Sequence, residues 1–399
     1  MGSSKILLIV SGAALIIIAA LFLGAYSRPA FSAEALALFD ADFLERAAGY
    51  QRVSLQVSLA RTLISWVGLG ALVLFGWNYF SRFRPPLFAA AVCIALIFIA
   101  LYLLTLPLDY YRGFVLEHRF GLSTQTFASW LGDYLKSNAV SLVISAIIFT
   151  GFYALVKYFP LRWWVYASVI SIFLMLVGTY LYPLLIDPLF YRFEPMQDEK
   201  MNTRILDMAE QAGIQVQEVL VADASRKTVK ANAYFTGLGS SKRIVVYDTL
   251  LTGFSQEEAL AVIAHEIAHW KYSHITKGIW LSAVQIFISL FLLSLVFQEL
   301  GIMGMAAARL RADFRVITVA LLFFTLLSFV ALPLQNVVSR SFERQADRAA
   351  IELTGSKELH VTLHRNLARA NLGDVEPHPL VKAILYTHPS TLERIKLAD

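Results

Sequence analysis

Seven stretches of roughly twenty apolar residues constrain this chain more than any other feature. They cover residues 7–26, 57–77, 86–106, 139–156, 163–185, 278–300 and 316–334. Each is close to the length an α-helix needs to cross ~30 Å of hydrocarbon at ~1.5 Å per residue. Apolar residues are 57% of the chain, charged residues 16%, and the mean hydropathy is +0.61. Such a chain is a polytopic membrane protein rather than a soluble one. The first stretch is read as a span and not a signal peptide. Its apolar core is long and only Lys5 precedes it. The fourth stretch is the shortest. Arg61, inside the second, is expected to face the protein interior or to snorkel. Trp163, Trp164, Tyr110 and Tyr111 sit at span ends, as interfacial aromatics do.

The net charge is +5 and the pI about 9.1. No basic stripe with interleaved aromatics accompanies that charge, so nucleic acid is excluded as a partner. Lys and Arg excess belongs at membrane boundaries. Cys93 is the one cysteine, which excludes an intrachain disulfide and a cysteine-built metal site. The expected organisation is spans one to five with their loops (1–185), a polar catalytic loop (186–277), spans six and seven (278–337) and a helical C-terminal part (338–399). Within the polar loop, KRIVVYDTLL reads as a short strand before a helix. No internal repeat or low-complexity tract is present.

The stretch AVIAHEIAHWKYSH (261–274) carries the first chemistry. Ser255 with Glu258 three residues on is a capping box that starts a helix. His265 and His269 then share one face and can reach one ion. Glu266 can reach a zinc-bound water without ligating the metal. A pentad with three fixed positions also arises by chance. Its surroundings are apolar, however, and polar groups in a buried helix are costly unless paired or metallated. Zinc needs a third protein ligand. His274 lies five residues past His269, about 140° round a continuous helix. It is therefore expected to point away from the metal and to act behind a ligand or on substrate. In SRSFERQADRAA (339–350), Glu343 can ligate and Asp347 can accept from the free nitrogen of a ligand histidine. The plainer reading is a solvated face with Arg340, Arg344 and Arg348. Topology favours the first. Two spans separate the pentad from Glu343, and two spans return the chain to the side it left.

Loop charges alternate weakly. Arg28, Arg46, Arg52, Arg112, Arg119 and Lys136 lie on one side, and Arg82, Arg84, Lys157, Arg162, Arg309 and Arg311 on the other. The positive-inside tendency then puts the catalytic loop and the C-terminus in the cytoplasm and the N-terminus outside.

Several segments in this order resemble the zinc-dependent type-1 CaaX prenyl endopeptidases, integral membrane proteases also found in bacteria. They are FVLEHRFGLSTQT, DPLFYRFEP, NAYFTG, KRIVVYDTLL, AVIAHEIAHWKYSH, SRSFERQAD and HPSTLERI. The resemblance extends over nearly the whole chain. It implies an all-α fold of seven transmembrane helices around a large intramembrane chamber. A zinc-metallopeptidase domain with a small β element would accompany them. It implies one catalytic Zn2+ held by His265, His269 and Glu343, with Glu266 as general base and acid. Asn232 matches a residue near the catalytic centre. The segment Asn232, Ala233, Tyr234 is similar to the edge strand on which a peptide substrate lies. His388 matches a histidine contacting the substrate carbonyl or tetrahedral intermediate. Arg394 matches a buried arginine paired with a carboxylate near the site.

The chemistry agrees with that resemblance. An extended peptide adding to an exposed edge aligns its scissile carbonyl without requiring one side-chain sequence. Glu266 would move the proton from water to the leaving amine, and His388 or Asn232 would donate to the oxyanion. The expected partners are a peptide or membrane-associated protein substrate and the lipid bilayer. The sequence leaves the oligomeric state open. One departure is Tyr191, where the family often has asparagine after its PLF motif; no role is assigned to it. The ending ERIKLAD lacks a dilysine-type retrieval signal, which favours a bacterial inner-membrane enzyme. Two rivals stand beside this reading: a quality-control zinc protease of the heat-shock type, and a scaffold or transporter that retained the fold. Seven spans with HPSTLERI argue against the first architecture. Intact Glu266 and few intramembrane charges argue against the second.

Overall fold

The structure, a computed structural model, describes residues 3–27, 29–237, 242–302 and 312–398. Arg28, Arg309 and Arg311, which entered the charge comparison, lie outside the described residues. Helix α1 (Lys5–Tyr26) is capped by Ser4, whose hydroxyl donates to Glu299 at 2.6 Å. A short α2 (Ala33–Leu38) leads to α3 (Ala41–Phe80), capped by Asp40. Helix α4 (Leu87–Tyr110) continues through a π-helical stretch, Tyr111–Leu116, into a last turn, α5 (Glu117–Arg119). Helices α6 (Phe127–Tyr158) and α7 (Trp163–Leu181) follow, and α7 also ends in a π-helical stretch, Tyr182–Ile186.

The polar loop folds as β1 (Phe193–Pro195), α8 (Glu199–Gln211), β2 (Glu218–Ala222), β3 (Ala233–Thr236) and β4 (Arg243–Tyr247). It goes on through α9 (Asp248–Gly253) and α10 (Gln256–Lys271). Helices α11 (His274–Glu299) and α12 (Arg315–Thr354) carry the last two spans. The chain ends in α13 (Lys357–Asn371), α14 (Pro379–Leu385) and α15 (Thr391–Lys396). Among the described residues seven helical segments are long and apolar enough to cross a membrane. The fold is an all-α polytopic membrane protein with a small sheet in its peptidase part.

Both α3 and α12 have 40 residues. Each is ~60 Å long at 1.5 Å per residue, about twice the hydrocarbon thickness. One half of each crosses the membrane and the other half stands beyond it. Helices α3, α4, α6, α7, α11 and α12 pack each against the next, and α12 returns to α3, so the six close a ring. Helix α1 packs along α12 and α14. At the end away from α10, the Tyr153 hydroxyl donates to the Ala312 carbonyl at 3.2 Å. Phe314 there packs on Phe80 and Phe83, with centroids 5.4 and 5.7 Å away. Arg61 does not reach for the interface. Its Nε donates to Asp109 of α4 at 2.5 Å, and Thr105 donates to the same carboxylate at 2.9 Å. A charge in an apolar segment is retained because its partner is on the next helix.

The sheet order is β1-β2-β4-β3. Strand β2 runs parallel to β4, and β3 pairs antiparallel with β4 alone, so β3 is an edge. Ile205 of α8, Ile244 and Val246 of β4, and Ile263 and Ile267 of α10 are fully buried between sheet and helices. Packing of α10 on this core fixes which of its faces is left for α12.

Candidate active site

Helix α10 starts in the capping box read from sequence: Ser255 accepts from Glu258 N, and Glu258 accepts from Ser255 N at 2.9 Å. The Glu258 carboxylate also accepts from Asn366 at 2.6 Å, which ties α13 to the start of α10. Ala268 of α10 meets Ala346 and Ala349 of α12. These small side chains let the two helices approach closely.

That approach brings three donors to one point. His265 Nε2 lies 3.1 Å from Glu343 Oε2 and 3.1 Å from His269 Nε2. His269 Nε2 lies 3.5 Å from Glu343 Oε1. A tetrahedral zinc with ~2.0–2.1 Å bonds has ligand atoms roughly 3.3 Å apart. The donor set, two imidazole nitrogens and a carboxylate, therefore fits zinc in type and spacing. Glu343 is buried, with 7% exposure, so the solvated-face reading of its helix does not hold.

The outward atoms of these residues are also engaged. His265 Nδ1 lies 2.9 Å from Asp347 Oδ1. Asp347, 1% exposed, accepts from Arg394 through both carboxylate oxygens, Nε donating at 2.9 Å. His269 Nδ1 faces His274 Nδ1 at 3.0 Å, and His274 Nε2 lies 2.9 Å from Gln345 Oε1. His274 corrects the helical projection. Helix α10 ends at Lys271, and Ser273 adopts φ 55. That left-handed residue turns the chain, so His274 opens α11 and folds back behind His269. The Phe342 ring stacks on it at 4.4 Å.

Glu266 follows His265 and faces the free side of β3. Tyr247 N donates to Asn232 O at 3.0 Å, so Asn232 and Tyr247 are a hydrogen-bonded pair. By alternation Ala233 and Phe235 turn their N–H and C=O groups to the open edge. The Phe235 N–H donates to the Glu266 carboxylate. Burial raises the Glu266 pKa to about 7, and the Glu343 charge adds to this. Burial opposes charge on His265, but the Asp347 and Glu343 carboxylates outweigh it and hold its pKa at about 9. Burial, with the His265 charge beside it, takes His269 down to about 4.

The remaining residues fall into place around this centre. His388 Nε2 lies 3.2 Å from Glu343 Oε2, with 53% of its side chain exposed. Asn232 is exposed at the start of β3. The Ala233 side chain is buried in the sheet core, so only its backbone is offered. The Tyr234 hydroxyl donates to Asp187 at 3.1 Å, away from the three donors.

Sequence reasoning missed His360 and His364. They lie four apart in KELHVTLHRN, the spacing that marked His265 and His269. With Asp347 they form a second buried group of donor atoms within 4.8 Å. His360 Nε2 donates to the Arg394 carbonyl at 2.9 Å, and the Arg394 guanidinium already supplies Asp347 with a cation. This second group therefore packs as backing for His265.

Comparison with known proteins agrees with this geometry. Residues 195–399 match the model of peptidase family M48. Residues 25–192 match the CAAX prenyl protease N-terminal model, described as five membrane helices. The chain is 34% identical over 302 residues to an uncharacterized metalloprotease of Bacillus subtilis, covering 74% of this chain and 70% of that one. It is 31% identical over 313 residues to CAAX prenyl protease 1 of Saccharomyces cerevisiae, covering 74% and 69%. The crystal structure of S. mikatae Ste24p superposes with a TM-score of 0.82 at 25% identity over 100% of both chains. The chain belongs to peptidase family M48, as a multi-pass membrane zinc metalloprotease of the CAAX prenyl protease type.

Proposed function

We propose that this protein hydrolyses peptide bonds in CaaX-type, lipidated or otherwise membrane-associated peptides that reach it through the bilayer. The observation that carries the reading is the meeting of His265, His269 and Glu343 beside Glu266, which itself touches the open edge of β3. His265, His269 and Glu343 would hold one Zn2+. Bound there, zinc supplies Lewis-acid polarisation of the scissile carbonyl and makes water acidic enough to deprotonate near neutral pH.

The chain's own residues supply the rest. A peptide lying along β3 exchanges hydrogen bonds with the Ala233 and Phe235 backbone, which positions its carbonyl without reading its side chains. Glu266, held near neutrality in its pKa, takes a proton from the attacking water and gives one to the leaving amine. His388 and Asn232, both open to the site, donate to the oxyanion as it forms. Asp347 and Arg394 hold His265 in the orientation that presents Nε2. Hydrolysis needs water, and the ring of six helices below the site would enclose it, with the closed end at Phe314.

A bacterial inner membrane with the catalytic end toward the cytoplasm is our placement, and the loop charges support that orientation. The chain is proposed to divide in four, at 185, 277 and 337. The test is purification in detergent, metal analysis and cleavage of a quenched fluorescent peptide by wild type and Glu266→Gln. Cleavage by wild type alone, with about one zinc in each protein, supports the reading. Equal cleavage by both proteins overturns it.

A further inference from the structure

We infer that His274 and Gln345 set the hydrogen-bond polarity of His269, so that His269 carries its proton on Nδ1 and presents a bare Nε2 to the metal. Both are positioning residues that act through His269 and do not touch substrate. The inference rests on the zinc reading above and adds a support that lies outside the HEIAH pentad.

His269 has two ring nitrogens, and the donor triad uses one. Nε2 lies 3.1 Å from His265 Nε2 and 3.5 Å from Glu343 Oε1, so it is the atom turned to the ion. Nδ1 faces His274 Nδ1 at 3.0 Å. Two neutral imidazoles in that contact share one hydrogen, and either ring is able to supply it. If His274 supplied it, His269 would accept on Nδ1 and hold its own proton on Nε2, where no metal binds. The far end of His274 decides between the two. Its Nε2 lies 2.9 Å from Gln345 Oε1. A carbonyl oxygen only accepts, so the His274 proton is on Nε2 and its Nδ1 is bare. The shared hydrogen therefore belongs to His269.

Two features hold this chain of donors in place. His274 is buried, and its ring lies on Phe342 with only 7° between the planes. The backbone that delivers it is unusual, because Ser273 adopts a left-handed conformation without being glycine. Such conformations are uncommon in other residues and cluster at functional sites. Gln345 lies on α12 two residues past Glu343 and two before Asp347. One helix thus supplies the third donor and backs both histidines, His265 directly through Asp347 and His269 through His274. The two supports differ in charge. A carboxylate behind a ligand imidazole strengthens it as a donor. A second carboxylate would bind the ion more tightly and blunt its polarising power, whereas the neutral His274–Gln345 chain orients His269 without adding negative charge.

The experiment uses the full chain in detergent. Zinc affinity is measured by competition with a chromogenic chelator, and unfolding temperature is measured on the metal-stripped protein. His274→Phe keeps a flat ring on Phe342 but cannot accept a hydrogen bond. It should bind zinc about 10–100-fold more weakly, while the metal-stripped protein unfolds at no lower temperature than wild type. His274→Asn places an amide oxygen near the position of Nδ1 and should retain most of the affinity. A purely structural role would not separate these two variants in this way. Gln345→Leu should weaken zinc binding roughly tenfold. Gln345→Glu offers only acceptors and should bind zinc at least as tightly as wild type. The Gln345 side chain is exposed, so this second pair keeps the test decisive even where His274→Phe does not fold. Wild-type affinity in His274→Phe, equal losses in His274→Phe and His274→Asn, or equal affinities in Gln345→Leu and Gln345→Glu each overturn the inference. A wild type that takes up no zinc overturns the zinc reading itself and this inference with it, which is a different result from unchanged affinity in the variants.

Discussion

His265 Nδ1 lies 2.9 Å from Asp347 Oδ1, although two membrane-spanning segments separate the residues in the chain. The Asp347 carboxylate also takes both arms of the Arg394 fork. Removing Arg394 would leave a buried carboxylate without its full charge partner. Arg394→Leu is therefore expected to lower stability by about 3–5 kcal/mol and zinc affinity by about 10–100-fold. Arg394→Lys should recover only part, because a point charge cannot engage both oxygens. Thermal unfolding and competition with a zinc chelator measure the two effects. Wild-type zinc affinity in Arg394→Leu would show that His265 needs no such support.

Glu266 is placed to move protons without ligating metal. Glu266→Gln keeps a hydrogen-bonding side chain of the same shape but cannot accept a proton. Peptide turnover should drop by roughly 10²–10⁴-fold while zinc content stays near one per chain. Loss of zinc in this variant would instead make Glu266 part of the metal's environment.

Glu343 supplies the carboxylate of the donor triad. Chelation should abolish turnover in wild type, and one equivalent of zinc should restore it. Glu343→Ala should need far more zinc for any restoration, because only two histidines remain. Stoichiometric zinc at unchanged affinity in Glu343→Ala would place the third ligand elsewhere.

His388 reaches the site from the far end of the chain, with its ring half in solvent. If it donates to the oxyanion, His388→Ala should lower kcat by roughly 10²–10³-fold and change KM little. Zinc content should not change. A variant altered mainly in KM would make His388 a ground-state binding residue.

His364 is buried behind the metal ligands, and burial holds its pKa well below the ordinary 6.5. The Arg394 charge pushes the same way. A histidine with a depressed folded pKa stays neutral while the unfolded chain takes up a proton. Its contribution is unchanged above pH 6.5 and turns destabilising as pH falls below it. The slope is up to about 1.4 kcal/mol per pH unit. His360 is shifted in the same direction by burial. Unfolding temperatures of wild type in detergent should thus fall between pH 7 and pH 5. The fall should be shallower in His364→Leu. Equal slopes in the two proteins would mean that His364 is not kept neutral.

The membrane architecture was legible because hydrophobic length is a local property, and all seven segments coincide with helices to within one residue at their ends. The convergence of Glu343 on His265 was also readable, since counting spans fixes the side of the membrane on which a residue emerges. The position of His274 was not. The break after Lys271 comes from Ser273 in a left-handed conformation, and WKYSH holds no glycine or proline to mark it. The role of β3 as an edge depends on long-range pairing with β4, which a short apolar strand does not encode by itself. His360 and His364 had a visible spacing, but nothing near them in sequence pointed to Asp347 or Arg394.

Helix α12 crosses the bilayer and continues without interruption to Glu343 and Asp347, while α3 does the same toward Arg52. There is consequently no seam at which a water-soluble enzyme could be cut from its anchor. A truncation at the membrane surface would split both rods in mid-course and leave the donor triad short of its carboxylate. Whatever tilts these two rods, including the thickness of the surrounding lipid, bears directly on the spacing of the catalytic groups.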